Sequence, residues 1–159
     1  MINFSQILPQ LFIGSQPRSE VDVGVLKRAG IGAVLNLQTD KDFIDWGIDW
    51  NQLEQHYAQQ AIAVSRVPIL DFNPVDLSAK LVSAAEELDR MLTPHQRVYL
   101  HCTAGIGRAP TVAIAYLSWH RDMELDEAHT LVTEARSCAP SVDAIRLANA
   151  ELKLKLHSK

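Results

Sequence analysis

The sequence predicts an α/β fold in which a central, mostly parallel sheet is flanked by helices. Three observations lead there. Apolar, strand-like runs alternate along the chain with stretches of helical periodicity, the order in which a parallel sheet is built and covered. Residues 98–110, VYLHCTAGIGRAP, join a short apolar run, a glycine-containing loop and the start of a long apolar segment. That reads as strand, turn and helix. The 159 residues, 47% of them hydrophobic, suffice for one core, so a single domain over 1–159 is expected.

Taken in order, Ile7-Leu8 and Leu11-Phe12-Ile13-Gly14 read as short strands about a turn at Pro9. Ser15-Gln16-Pro17 leads into a helix over Glu20–Arg28, closed by Gly30. Residues 33–37, AVLNL, are a buried strand, and residues 61–70 contain another. Over 74–92 a helix is expected, because Leu77, Leu81, Ala84, Leu88 and Met91 recur at helix spacing. The strand at 98–100 and the helix from Arg108 follow. A further helix lies near 125–136. A last one starts at Ser141, with Ile145, Ala148, Leu152 and Leu156 on one face. Ligand sites in such folds sit at the C-terminal ends of strands, which is where Cys102 stands.

The strand, loop and helix around Cys102 make an anion site. Amides of Thr103, Ala104, Gly105, Ile106 and Gly107 converge on one point, and the dipole of the helix opened by Arg108 adds positive charge there. Gly105 and Gly107 are expected to let the backbone close around a tetrahedral oxyanion without interference from a Cβ. The groups that hold a phosphate dianion also stabilise a thiolate at Cys102. Arg108 can grip two phosphoryl oxygens through its planar fork. The implied reaction is attack of sulfur on phosphorus, followed by hydrolysis of the phosphocysteine. An alkoxide leaving group needs a proton, so a general acid is expected on a neighbouring loop. Asp71 ends the run Val67-Pro68-Ile69-Leu70 and precedes a Phe-Asn-Pro turn. Asp76 competes, but at the start of a helix its expected role is N-cap.

HCTAGIGR resembles the signature of the dual-specificity branch of the cysteine-dependent protein-tyrosine-phosphatase superfamily. CTAGIGR is more similar still to the glucan phosphatases of the laforin and plant starch-excess type. IGSQPRS, LNLQTDKD, WGID and RSCAPSVDAIR extend that likeness over most of the chain. The resemblance implies a three-layer protein-tyrosine-phosphatase-like sandwich that works without metal or cofactor. It implies that Cys102, Arg108 and Asp71 are catalytic and that residues 103–108 bind phosphate. It also implies that His101 orders the loop through hydrogen bonds rather than moving protons. Most dual-specificity enzymes place Ser or Thr directly after the arginine. Ala109 departs from that and matches the Arg-Ala-Pro of the starch-type enzymes. Laforin and the starch-excess proteins carry a carbohydrate-binding module, and this chain encodes none, so the phosphatase domain alone is expected.

A net charge of −4 gives no electrostatic case for nucleic acid or an anionic membrane surface. No stretch approaches a membrane span, and no leader is visible at the N-terminus. Two cysteines, Cys102 and Cys138, fit a reducing compartment; Cys138 reads as structural, with a redox partnership with Cys102 as the alternative. The expected location is therefore cytoplasmic, or the plastid stroma in a plant or alga, and the expected state is a monomer. Thr103, Ala104 and Ile106 carry no charge, where phosphoinositide phosphatases usually place lysines. Phe43, Trp46, Trp50 and Tyr57 crowd one short stretch, and Phe72 adjoins Asp71. Sugar faces stack on aromatic rings, so Trp46 and Phe72, which stand where starch-type enzymes place substrate-facing aromatics, are expected to bind a glucan. Trp50 and Tyr57 read at least as well as core. The favoured substrate is a phosphorylated glucan. The alternatives are a phosphoprotein substrate and a noncatalytic phosphate- or glucan-binding module.

Overall fold

The computed structural model describes residues 1–93 and 96–157, with side chains to residue 155. Its sheet has five strands, β1 (Phe4–Leu8), β2 (Leu11–Gly14), β3 (Ile31–Asn36), β4 (Ala63–Arg66) and β5 (Arg97–His101). They run in the spatial order β1-β2-β5-β3-β4. β2, β5, β3 and β4 are parallel, and β1 closes one edge as an antiparallel hairpin partner of β2. β5 is thus the middle strand, and its carboxyl end delivers His101 and Cys102.

Period-two alternation sorts the apolar residues to the two faces. Leu11, Ile13, Ala33, Leu35, Val98 and Leu100 face one core. Phe12, Val34 and Tyr99 face the other. The first face is covered by α4 (Pro74–Met91), α5 (Arg108–His120), α6 (Leu125–Ala135) and α7 (Val142–His157). The second is covered by α1 (Glu20–Arg28), α2 (Asp40–Trp46) and α3 (Trp50–Gln59). The result is the three-layer sandwich expected, with α5 buried over its first ten residues. Ile145 and Ala148 of α7 enter the core and Leu152 is half-buried. The side chain of Leu156 lies outside the described residues.

Helix α2 is short and is defined by its caps, whereas α3 also carries Trp50, Leu53 and Tyr57 at helix spacing. Thr39 and Asp42 form a reciprocal capping box on α2, and Gly47, left-handed at φ 64°, ends it. Asp49 caps α3. Trp50 stacks on Phe43 at 5.1 Å, with the Arg66 guanidinium over both rings. Tyr57 is buried. Both therefore serve packing.

One expected cap is corrected. The N-cap of α4 is Asn73, whose side chain accepts the Asp76 N–H at 2.9 Å, with Pro74 in the first turn. Asp76 sits three residues inside, because the proline ring fixes φ and starts the helix there.

Two glycine substitutions should move stability in opposite directions. A Cβ on Gly14 would lie 2.6 Å from both the Asn3 carbonyl oxygen and the Phe4 Cβ. Gly14→Ala should therefore destabilise by about 1–3 kcal/mol. Inside α1, a Cβ on Gly24 would meet only the tip of Arg28, at 3.5 Å. Gly24→Ala should stabilise by about 0.5–1 kcal/mol. Thermal denaturation of the two variants checks the pair of signs.

Candidate active site

The loop after β5 is built so that its carbonyls are all occupied from outside. The Cys102 carbonyl takes a bond from His101 Nδ1 at 2.8 Å. The Thr103 carbonyl takes the Gln16 N–H at 2.9 Å. Arg136 supplies two bonds, Nη2 to the Ala104 carbonyl at 3.0 Å and Nε to the Gly105 carbonyl at 2.7 Å. The Ile106 carbonyl accepts the Ala139 N–H at 2.8 Å. The Gly107 carbonyl accepts the Thr111 hydroxyl at 2.7 Å. In a planar peptide the N–H points opposite to the C=O. Six carbonyls tied outward therefore turn the N–H groups of residues 103–108 inward. Among the described residues no protein acceptor takes the N–H groups of 103–107.

Gly105 is required by the protein itself. Its φ is +71°, and a Cβ there would lie 2.6 Å from the Gly14 carbonyl and 2.7 Å from Arg136 Nη2. Gly107 is not held to glycine by its protein neighbours. Its φ is −111° and a Cβ would meet nothing within 4 Å, so packing does not demand glycine there.

Cys102 is 2% exposed at the base of this loop. Arg108 is buried at its end and gathers much of the site. Nη1 donates to Asp42 Oδ2 and to the Ile69 carbonyl, both at 2.8 Å. Nη2 donates to the Thr103 hydroxyl at 3.1 Å and lies 3.3 Å from Asp71 Oδ2. Its Nε is buried with no partner. Asp42 was not among the candidates from sequence. Burial pushes its carboxyl up, but the Arg108 bond and charge, with the Thr39 bonds, hold it below the ordinary range. The capping-box spacing was the one signal available for it. Arg136 and Gln38 stand in the RSCAPSVDAIR and LNLQTDKD segments, which gave no sign of their roles. Gln38 Nε2 bonds Gln16 Oε1 at 2.7 Å and the Thr103 hydroxyl at 3.1 Å.

Asp71 stands on the loop between β4 and α4, its side chain about a third exposed and paired with Arg108. Its Oδ1 accepts the Phe72 N–H at 3.1 Å. Phe72 is 97% exposed at φ 53°, a left-handed conformation that costs a residue with a Cβ about 1–2 kcal/mol. Trp46 is half-exposed at the end of α2; Arg18 bonds its carbonyl at 3.1 Å and lies over its ring. A groove of about 730 Å³ runs beside the loop, lined in part by Arg18, Ser15, Gln16, Thr103, Ala104 and Arg136. Arg18, which touches Trp46, lines the groove, and neither expected aromatic is part of its lining. Cys138 is half-buried against the core.

His101 is fully buried. A carbonyl partner on Nδ1 fixes the proton there, and Nε2 is buried without a partner. Burial, together with the nearby Arg108 charge, pushes its pKa down to about 4 despite the Cys102 carbonyl, which favours the charged form. The unfolded chain takes up this proton near pH 6.5, the folded one only near 4. Between those values the unfolded state binds more protons, so stability falls as pH falls. The loss across the window should be about 3 kcal/mol. Melting curves at pH 7 and pH 4.5 should show it, and His101→Gln should flatten that limb.

The chain matches the model of the dual specificity phosphatase catalytic domain over residues 11–146. It is 37% identical to phosphoglucan phosphatase DSP4, amyloplastic, of Castanea sativa over 99% of its own length and 43% of that protein's. To dual specificity protein phosphatase 4 of Homo sapiens it is 33% identical, over 83% of its length and 30% of the relative's. Among solved structures, PTPMT1 superposes with a TM-score of 0.75 at 17% identity, covering 98% of this chain and 99% of that one; this likeness concerns the fold. The chain thus spans less than half the length of either relative it matches. With a family model matching most of its length and the phosphate-type loop in place, the chain belongs to the dual specificity phosphatase catalytic-domain family.

Proposed function

We propose that the chain is a cysteine-dependent phosphomonoesterase whose substrate is a phosphorylated glucan. The observation that carries the chemistry is the inward-turned amide loop with Cys102 at its base and the free Nε–H of Arg108 at its end. A phosphoryl group seated there receives the loop amides and the free Nε–H of Arg108, and the charge developing on its oxygens is stabilised by groups already oriented. The Cys102 thiolate attacks phosphorus, the P–O ester bond breaks, and Asp71 gives its proton to the departing oxygen. Water then attacks the phosphocysteine and releases phosphate and the thiolate. Asp42 holds Nη1 of Arg108 throughout, so the guanidinium keeps one edge for substrate.

Three features support the glucan. The loop residues Thr103, Ala104 and Ile106 add no positive charge for a polyanionic lipid headgroup. Phe72 presents its whole ring beside Asp71 and Trp46 presents about half of its surface, and exposed rings offer apolar faces to sugars. The similarity to the Castanea sativa phosphoglucan phosphatase covers nearly the whole chain. A phosphoprotein substrate would use the same chemistry with different cleft walls.

Cys102→Ser should abolish turnover while leaving the loop able to bind phosphate, since a hydroxyl is not ionised near neutral pH. Single-turnover assays with an aryl phosphate check this, and substantial residual rate would remove the mechanism. Substrate class is read by comparing phosphate release from phosphorylated amylopectin and from phosphopeptides, each normalised to an aryl phosphate. Trp46→Ala and Phe72→Ala should each weaken phosphoglucan turnover by about 2- to 30-fold, the equivalent of ~0.5–2 kcal/mol of stacking, and leave the aryl phosphate nearly unaffected. Parallel loss on both substrates, or a wild-type preference for phosphopeptides, would transfer the assignment to a protein phosphatase.

A further inference from the structure

We propose that Asp76 is a positioning residue for Asp71: by accepting the N–H of Leu70, its carboxylate fixes the turn that presents the general acid. The inference rests on the reading of Asp71 as that acid. Asp76 Oδ2 lies 2.7 Å from the Leu70 nitrogen and 3.1 Å from Lys80 Nζ. In an ordinary capping box the third helical residue reaches back to the N–H of the cap itself. Asp76 instead reaches past Asn73 to Leu70, closing a ring of residues 70–76 with Asp71 inside it.

The turn's other ties are side-chain contacts of Asp71 itself, to Arg108 Nη2 at 3.3 Å and to the Phe72 N–H at 3.1 Å. Ile69 is anchored on both sides, its N–H to the Leu37 carbonyl at 2.9 Å and its carbonyl to Arg108 at 2.8 Å. Downstream, α4 begins rigidly at Asn73 and Pro74. Between these anchors Phe72 is left-handed and almost fully exposed, so no packing holds its backbone. Leu70 is also largely exposed. The Leu70–Asp76 bond is the tie between the anchored strand end and the helix start. Lys80, one turn further along α4, balances the carboxylate's charge and keeps it turned toward Leu70. Its ionised form is favoured: burial pushes its carboxyl up, but the Leu70 N–H and Lys80 more than offset that.

The test compares Asp76→Ala, Asp76→Asn and Asp71→Asn on an alkyl phosphate and on p-nitrophenyl phosphate, whose leaving group needs little protonation. A misplaced acid should cost kcat on the alkyl ester about tenfold or more and on the aryl ester less than about threefold. Asparagine keeps an oxygen for the Leu70 N–H, so Asp76→Asn should recover most of the alkyl rate. Adding Asp76→Ala to Asp71→Asn should cost less than about twofold more, because two changes on one function do not multiply. Amide exchange at Leu70 should quicken in Asp76→Ala even if turnover is too low to measure. Equal loss on both esters, or full multiplication with Asp71→Asn, would reduce Asp76 to a stabilising contact and overturn the proposal. If Asp71→Asn leaves the alkyl-to-aryl ratio unchanged, the assignment of the acid itself fails. If only the Asp76 variants then shift the ratio, Asp76 is the proton donor rather than its support.

Discussion

Everything at the active site depends on where six peptide carbonyls point. A loop rich in inward N–H groups is electrostatically unfavourable by itself, since parallel dipoles crowd one another. It persists because each opposing carbonyl has found a partner in the surrounding fold. Those partners come from His101, Gln16, Arg136, Ala139 and Thr111, spread over most of the sequence. Arg136 is the most telling of them. Its guanidinium is buried, bonds Asn3, Ser5, Ala104 and Gly105, and has no carboxylate among those partners. Its charge is thus left to the loop from beneath, at the place where a phosphate dianion would need it.

Arg108 ties this cradle to the opposite wall. One guanidinium touches α2 through Asp42, the β4–α4 loop through Ile69 and Asp71, and the phosphate-type loop through Thr103. A buried charge of this kind is costly unless its donors are matched, and four contacts match all but Nε. Gln38 adds a second tie by bonding Gln16 and Thr103 at once. The loop, the Asp71 turn and α2 are therefore mechanically connected, although they are far apart in sequence. The exposed aromatic rings lie outside this network, free to meet a large substrate without disturbing it.

Much of this was legible in the chain. The strands at Leu11–Gly14 and 98–100, the helix from Arg108 and the long helix after Pro74 follow from local periodicity and from proline and glycine placement. Local rules act within a few residues, and there the reading held. It fell short at α2, a two-turn helix set by its side-chain caps, and at α3, whose Trp50, Leu53 and Tyr57 do recur at helix spacing. It also failed at Asp76, where the proline at the first helical position moved the cap to Asn73.

The sequence by itself determined the layered α/β architecture, the Cys102–Arg108 loop and its place at a strand end, because all three are written in neighbouring residues. Only the tertiary structure decided what holds that loop open and what faces it. Asp42, Gln16, Gln38 and Arg136 are ordinary polar residues in one dimension. They acquire meaning when the order β2-β5-β3 sets the ends of three strands side by side and leaves carbonyls and a guanidinium that must be satisfied away from water.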